Sequence, residues 1–255
     1  MANTLGFPDL LRLIDERSSA FCAAVAAAPG LDVQVPTCPE WTLFDLVRHL
    51  GEGRRAWAAT VAAGPDATGK SAPGGDPAPQ EREALLAWMA ESTQQLLDAL
   101  REAGPDRGCW TWWGASQSPR TCGAVARHQL QEIAVHTYDA QVTAGAPQPL
   151  PDEVAVDGVD EFLSTCCATT EAWPHEPATI EYHATEGPSW RVWLSADGAR
   201  ITDLTEPAGD AANVSASGTA SELVLFMYGR NPMESVKIDG DRVVFDRIIA
   251  WEPEV

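Results

Sequence analysis

The chain has 255 residues, of which 45% are hydrophobic and 21% charged, and this composition supplies enough apolar material for one large domain or two modest ones. Its 17 basic and 37 acidic side chains give a formal net charge of −20, which disfavours phosphate backbones and anionic lipid surfaces, so we expect neither a nucleic-acid nor a membrane partner. The N-terminal sequence lacks a basic leader before an apolar core, and no run reaches the ~18 apolar residues of a membrane helix, so we expect a cytoplasmic protein.

The lysines and the cysteines give indications of the source genome and of the redox compartment, respectively. Among the basic residues only Lys70 and Lys237 are lysines, and with the abundant Ala, Gly and Pro this is typical of a GC-rich, actinobacterial genome. The six cysteines form no Cys-X-X-Cys pair, so neither a zinc ribbon nor a thioredoxin-type site is indicated. We expect thiols rather than disulfides, and we interpret Cys166 and Cys167 as packing residues on different faces of a helix.

The first 145 residues show the periodicity of four helices. Apolar residues recur at helical spacing between Gly- and Pro-rich stretches, and Thr42 with Asp45 predicts a capping box at the start of the second helix. We expect loops at 31–41 and 64–79, and the arrangement favours an up-down four-helix bundle. The predicted helices are 8–28, 43–63, 81–103 and 122–144.

The remaining chain predicts an α+β domain after a short linker at 147–151, with the boundary between residues 149 and 150. Alternating apolar runs separated by Gly-containing turns indicate strands, whereas residues 236–251 are ambiguous. The predicted elements are helices 153–168 and 219–228 and strands 178–185, 189–195 and 199–205.

The fourth helix carries the residues most typical of a metal site. Glu132 and His136 lie one turn apart and therefore share a face, with His128 and Asp139 near the same stripe. Apolar residues border that stripe on both edges, so it should face the bundle interior, where an unpaired carboxylate would be costly. From spacing alone, a surface salt-bridge stripe is an equally good interpretation.

The second helix offers a third ligand in His49. Three protein ligands leave an open position, as in catalytic zinc sites. Asp45, one turn before His49, or Glu52, nearly one turn after it, could orient its imidazole, and Asp139 could do the same for His136. An isolated histidine is, however, more often simply packed or exposed.

Three stretches resemble the mycothiol-dependent maleylpyruvate isomerases, whose N-terminal half is a DinB-like metal-binding bundle. They are VPTCPEWTLFDLVRHLGE at 35–52, EIAVHTYDA at 132–140 and GTASELVLFMYGR at 218–230. The last stretch is similar to the smaller, sterol-carrier-like C-terminal domain of that family. Gln131 departs from the pattern, because many relatives have His there, and we do not count this position as a ligand.

The resemblance implies a divalent metal, with zinc the expected ion, held by His49, Glu132 and His136, and a supporting role for Asp139. It further implies that the metal activates a low-molecular-weight thiol, expected to be mycothiol, for isomerisation of, or sulfur transfer to, a small acidic electrophile. The sequence does not choose between isomerase and transferase. We expect a monomer or a weak dimer.

The resemblance also implies a cleft between the two domains, in which arginines would bind substrate or thiol carboxylates. Arg230 and Arg82 are the candidates, and an ordinary surface arginine is an equally good interpretation of each.

Two further functions remain open on the sequence. The protein could be a non-catalytic metal-binding module of the same fold. The C-terminal domain could instead bind an apolar ligand through its strand faces, although an ordinary sheet core is the favoured interpretation. The apolar residues concerned are Ile180, Tyr182, Trp190, Val192 and Trp193.

Overall fold

The computed structural model describes residues 5–204 and 211–251. In the N-terminal half, four long helices form a bundle in which α1 packs against α4 and α2 packs against α3, and the predicted helical bundle is thereby confirmed. These helices are α1 (Phe7–Ala27), α2 (Leu43–Ala63), α3 (Arg82–Ala103) and α4 (Cys122–Thr143).

The start of α2 is fixed by the predicted capping box. Thr42 Oγ1 accepts a hydrogen bond from the Asp45 amide, and the Asp45 carboxylate accepts from the Thr42 amide. Two residues beyond His49, Gly51 faces the ring of Trp88 on α3, where any Cβ would overlap that ring. Glycine at this position therefore lets α2 and α3 approach closely.

The segment 31–41 is not simply a loop as predicted. It contains a small antiparallel hairpin of β1 (Gln34–Val35) and β2 (Cys38–Thr42), which runs directly into α2. Val35 is fully buried, and it anchors the hairpin to the bundle. Strands of two and five residues have too few alternating positions to be distinguished from a loop in the sequence.

The C-terminal half combines one mixed sheet with helices, so the predicted α+β class is confirmed. The sheet order is β5-β4-β3-β6-β7, with β3 and β6 parallel and the other pairs antiparallel. The strands are β3 (Ala178–Ala184), β4 (Ser189–Ser195), β5 (Gly198–Asp203), β6 (Val214–Gly218) and β7 (Lys237–Gly240). The helices are α5 (Asp152–Glu161), α6 (Ala220–Met227) and α7 (Arg242–Ala250).

Three details of this half differ from the sequence-based expectation. The predicted helix 153–168 changes after α5 into a π-helix at Phe162–Cys167. β6 and β7 were not predicted as strands, and Thr205, the last residue of the predicted strand 199–205, lies outside the described residues. Trp193 is 43% exposed because strand alternation places it on the face opposite the buried Trp190 and Val192.

By its contacts the chain divides into two compact units. The bundle unit contains residues 6–112 and 119–150. The C-terminal unit contains the described residues after position 150, together with Leu5 and residues 113–118. Among the described residues, no helix has the length and apolar character needed to cross a membrane.

Candidate metal centre

The structure brings His49, Glu132 and His136 together inside the bundle unit. His49 comes from α2, while Glu132 and His136 lie one turn apart on α4. One potential ligand atom from each residue lies within 4.8 Å of the other two. The helical spacing found in the sequence thus corresponds to a real cluster in space.

The distances in this cluster suit a small divalent cation. Glu132 Oε1 lies 3.0 Å from His49 Nε2 and 3.8 Å from His136 Nε2. Four ligands around zinc, each at ~2.0–2.2 Å, are separated from one another by roughly 3.4 Å. Two imidazoles and one carboxylate form a donor set that zinc accepts, with a further position left for an exogenous ligand.

Glu132 is held in its ionised form. Burial by itself would raise the pKa of this carboxyl group, but the hydrogen bond from His49 and the charges of His136 and His128 outweigh it, so the pKa lies well below its usual range. Its side chain keeps 31% exposure, and the group is therefore available to a ligand entering the bundle.

Asp139 supports His136 from behind. Its carboxylate is fully buried, and Oδ2 lies 2.8 Å from His136 Nδ1. When Nδ1 bonds this carboxylate, Nε2 is the ring nitrogen that is left for a metal ion. The Thr37 hydroxyl donates to Oδ1 at 2.6 Å, and Cys38 Sγ lies 3.7 Å from Oδ2.

Cys38, His136 and Asp139 form a second group with metal-ligand chemistry. In this second group the Asp139 carboxylate is fully buried and already accepts from the Thr37 hydroxyl while lying 2.8 Å from His136 Nδ1, whereas the Glu132 side chain is 31% exposed. The geometry therefore favours the group containing Glu132 as the metal centre and this second group as its support.

The β1–β2 hairpin supplies groups that the sequence reasoning did not assign. Trp41 packs beside both imidazoles, with ring centroids 4.6 Å from His49 and 6.1 Å from His136. Thr37 and Trp41 both belong to the TCPEW stretch, so the motif itself was the available signal. Their roles depend on a hairpin that the helical periodicity does not reveal.

Asp45 and Glu52 were the two residues expected to orient the His49 imidazole, and for Asp45 this expectation is wrong. Its carboxylate is engaged by Thr42 in the capping box and by Arg48 at 2.9 Å. Glu52 makes no hydrogen bond to His49 within the part of the chain that the structure describes.

Aromatic side chains recur in the same unit as the cluster. Trp57 lies 6.1 Å from Trp110 between ring centroids, and Lys70 Nζ lies 5.3 Å from the centre of a Trp57 ring. His128 stacks edge-on with Trp112 at 5.6 Å. Lys70, in the predicted loop 64–79, therefore places its ammonium group next to the pair formed by Trp57 and Trp110.

Each of the two candidate arginines donates hydrogen bonds to backbone carbonyl oxygens. Arg82 Nη1 donates to the backbone carbonyl oxygens of Val25, Ala26 and Ala28, where α1 ends. Arg230, in the C-terminal unit, donates through Nη1 to the Tyr228 carbonyl oxygen at 2.8 Å. The geometry of Arg82 is that of a helix C-terminal cap.

Comparison with known proteins identifies the same family along both halves. The family model described as the mycothiol maleylpyruvate isomerase N-terminal domain matches residues 11–141, and the corresponding C-terminal domain model matches residues 153–247. No curated protein matches in a sequence search.

Two of the solved structures that share this fold are described by name. They are a mycothiol-dependent maleylpyruvate isomerase and a mutant of it in which one histidine is replaced by alanine. Each is 15% identical, with a TM-score of 0.58 and coverage of 92% of this chain and 93% of the other. At this identity the likeness concerns the fold, and the family assignment rests on the two domain models.

Proposed function

Because the chain belongs to the mycothiol maleylpyruvate isomerase family, an enzyme family, we propose that it is a metal-dependent enzyme that activates mycothiol for isomerisation of, or sulfur transfer to, a small acidic electrophile. The observation that carries this proposal is the cluster of His49, Glu132 and His136. Zinc is the ion we propose, because two imidazoles and one carboxylate match its preferences.

A divalent ion in this position would supply a Lewis acid that lowers the pKa of a thiol and favours the nucleophilic thiolate. His49 and His136 would hold it through Nε2, and Glu132 through a carboxylate already kept ionised. The Asp139 carboxylate would accept a hydrogen bond from His136 Nδ1, so that Nε2 stays free to bind the ion.

The remaining requirements of the reaction are exclusion of water and recognition of an acid. The indole of Trp41 packs against the two imidazoles, and we propose that it shields that side of the ion from water. Arg230 is the residue that we propose for binding a carboxylate of the substrate or thiol, since a guanidinium pairs with carboxylate in a bidentate manner. In an isomerase the thiol adds to a double bond and leaves after rotation, whereas in a transferase it stays on the product.

The experiment is a turnover assay with maleylpyruvate and a panel of small acidic electrophiles, with and without mycothiol. We expect conversion that requires the thiol, disappears with a chelator, and falls at least ~100-fold in His49→Ala, because one of three proposed metal ligands is lost. His175→Ala is the matched control, because this exposed histidine lies in the C-terminal unit and should leave the rate unchanged.

Two outcomes would contradict the proposal. Turnover that is independent of the thiol would exclude thiol activation. Metal binding without turnover of any electrophile would instead favour a non-catalytic metal-binding module.

A further inference from the structure

The C-terminal unit contains a cavity that the metal chemistry does not use. It has a volume of about 260 Å³, and its wall comes from the π-helix, β3, α6, α7 and Trp251. Aromatic and aliphatic side chains dominate this wall, among them Phe162, Phe226 and Phe245. The size lies near the lower limit for small-molecule pockets and is much larger than a water molecule requires.

Tyr182 is the polar residue of interest in this wall. The residue is only 4% exposed, and within the described part of the chain its hydroxyl makes no hydrogen bond. A tyrosine hydroxyl at a largely buried position usually has a hydrogen-bond partner. The cavity that Tyr182 lines is the space in which such a partner would bind.

The π-helix brings both adjacent thiols to the same cavity. Cys166 and Cys167 were expected on different faces of a helix, but both line this space. The Ala168 amide donates to the Leu163 carbonyl oxygen, five residues earlier, and this wider winding brings neighbouring side chains closer around the axis. Such π-segments are rare and frequently occur at functional sites.

The surroundings are unfavourable for charge. Burial raises the pKa of the Cys167 thiol to about 12, and burial together with Cys167 raises the pKa of Tyr182. Both groups are therefore neutral at physiological pH, and among the described residues no basic side chain lines the cavity to pair with an anion. An ionised ligand would lose its hydration without compensation.

The rim of the cavity is apolar as well as its wall. Ile248 and Ile249 of α7 both line it, and Ile249 is 63% exposed. A large exposed isoleucine next to an apolar cavity provides a route of entry that favours molecules with little polar surface.

We propose that this cavity is a second small-molecule site, for an uncharged and mainly apolar molecule with one oxygen acceptor that binds the Tyr182 hydroxyl. The apolar wall provides most of the binding, and the hydroxyl sets the orientation. The residues that line this site all belong to the C-terminal unit, whereas His49, Glu132 and His136 belong to the bundle unit.

The test uses two probes of similar shape, 2-acetylnaphthalene and 2-isopropenylnaphthalene, which differ in whether they carry a carbonyl oxygen. Isothermal titration of the full chain should show tighter binding of the ketone, by about 5–10-fold, as expected for one hydrogen bond. Tyr182→Phe keeps the ring and should remove this preference while leaving binding of the hydrocarbon unchanged.

A variant that fills the cavity with a larger side chain tests where the two probes bind. Met227→Trp places a larger side chain in the wall and should abolish binding of both probes, whereas Val243→Trp, on the exposed side of α7, should not. Circular dichroism of both variants establishes that they fold.

Three results would overturn the proposal. The first is that neither probe binds the wild-type chain, which would leave a cavity for water. The second is an unchanged preference for the ketone in Tyr182→Phe. The third is full binding to a folded Met227→Trp variant, which would place the probes elsewhere.

Discussion

At the scale of single residues, the pairing of His136 with Asp139 is the contact that supports the proposed metal centre from behind. The carboxylate has no exposed surface, and it holds the imidazole through Nδ1 at 2.8 Å. Thr37 and Cys38 fix the carboxylate in turn. An imidazole oriented in this way loses less conformational freedom when it binds a metal.

Asp139→Asn should therefore weaken metal binding by about 10–100-fold while the fold is retained, because the neutral amide is a poorer partner for the Nδ1 proton. Competition with a chelating indicator of known affinity measures the effect. Asp98→Asn is the control, since its 74% exposed side chain on α3 pairs only with the neighbouring Arg101 among the residues that the structure describes. Equal affinity of Asp139→Asn and wild type would show that the pairing does not serve the metal.

The sequence located the helical residues of this centre better than the others. Glu132 and His136 share a face because of a fixed helical period, and that period can be read without knowing the tertiary structure. Thr37 and Trp41 could not be assigned in the same way, because their positions depend on how a short hairpin folds against two helices. The motif indicated that this stretch belongs to the site, but it did not indicate that Thr37 bonds Asp139 or that Trp41 contacts the two imidazoles.

At the scale of elements, the capping box of α2 is the local interaction that fixes where the helix carrying His49 begins. Hydrogen bonds from the Thr42 side chain and amide lower the pKa of Asp45 below its usual value near 3.8. A carboxyl group with a lowered folded-state pKa stabilises the protein above its unfolded pKa, and this contribution is lost as the pH falls through the folded pKa.

Asp45→Asn should accordingly destabilise the chain by about 1 kcal/mol at neutral pH, and the difference from wild type should shrink at pH values below about 4. Urea unfolding at several pH values measures this difference. A difference that stays constant with pH would show that the charge of Asp45 does not stabilise the helix start.

Arg82 connects two elements, because its guanidinium binds three carbonyl oxygens at the end of α1 from the start of α3. Arg82→Ala should lower the free energy of unfolding by about 1–2 kcal/mol and leave the KM for an acidic substrate unchanged. Arg101→Ala, which removes an exposed arginine of the same helix, should change stability by less than about 0.5 kcal/mol. A raised KM with unchanged stability would instead assign Arg82 to substrate binding.

The long elements were predictable and the short ones were not. Each of the four bundle helices spans at least 21 residues, so its apolar periodicity repeats over several turns. β6 and β7 have five and four residues, and β7 runs through Asp239 and Gly240, which are uncommon in strands. Their positions are fixed by pairing with neighbouring strands, which is a tertiary effect.

At the scale of the whole molecule, the proposed metal centre and the apolar cavity lie in different units. The bundle unit holds the polar cluster of His49, Glu132 and His136, and the C-terminal unit holds the apolar cavity lined by Tyr182. The change in periodicity along the sequence predicted two domains of different class. It carried no information on the cavity, because the residues that line this space come from five separate segments.

The measurement that tests the central claim most directly is elemental analysis of protein purified without added metal, beside a His49→Ala/His136→Ala double variant. About one zinc or similar divalent ion per chain in the wild type, and its loss in a variant that remains folded, is the result expected from the cluster at α2 and α4. A wild-type chain that holds no metal even after incubation with zinc would contradict a metal centre at His49, Glu132 and His136, and the proposed thiol activation with it.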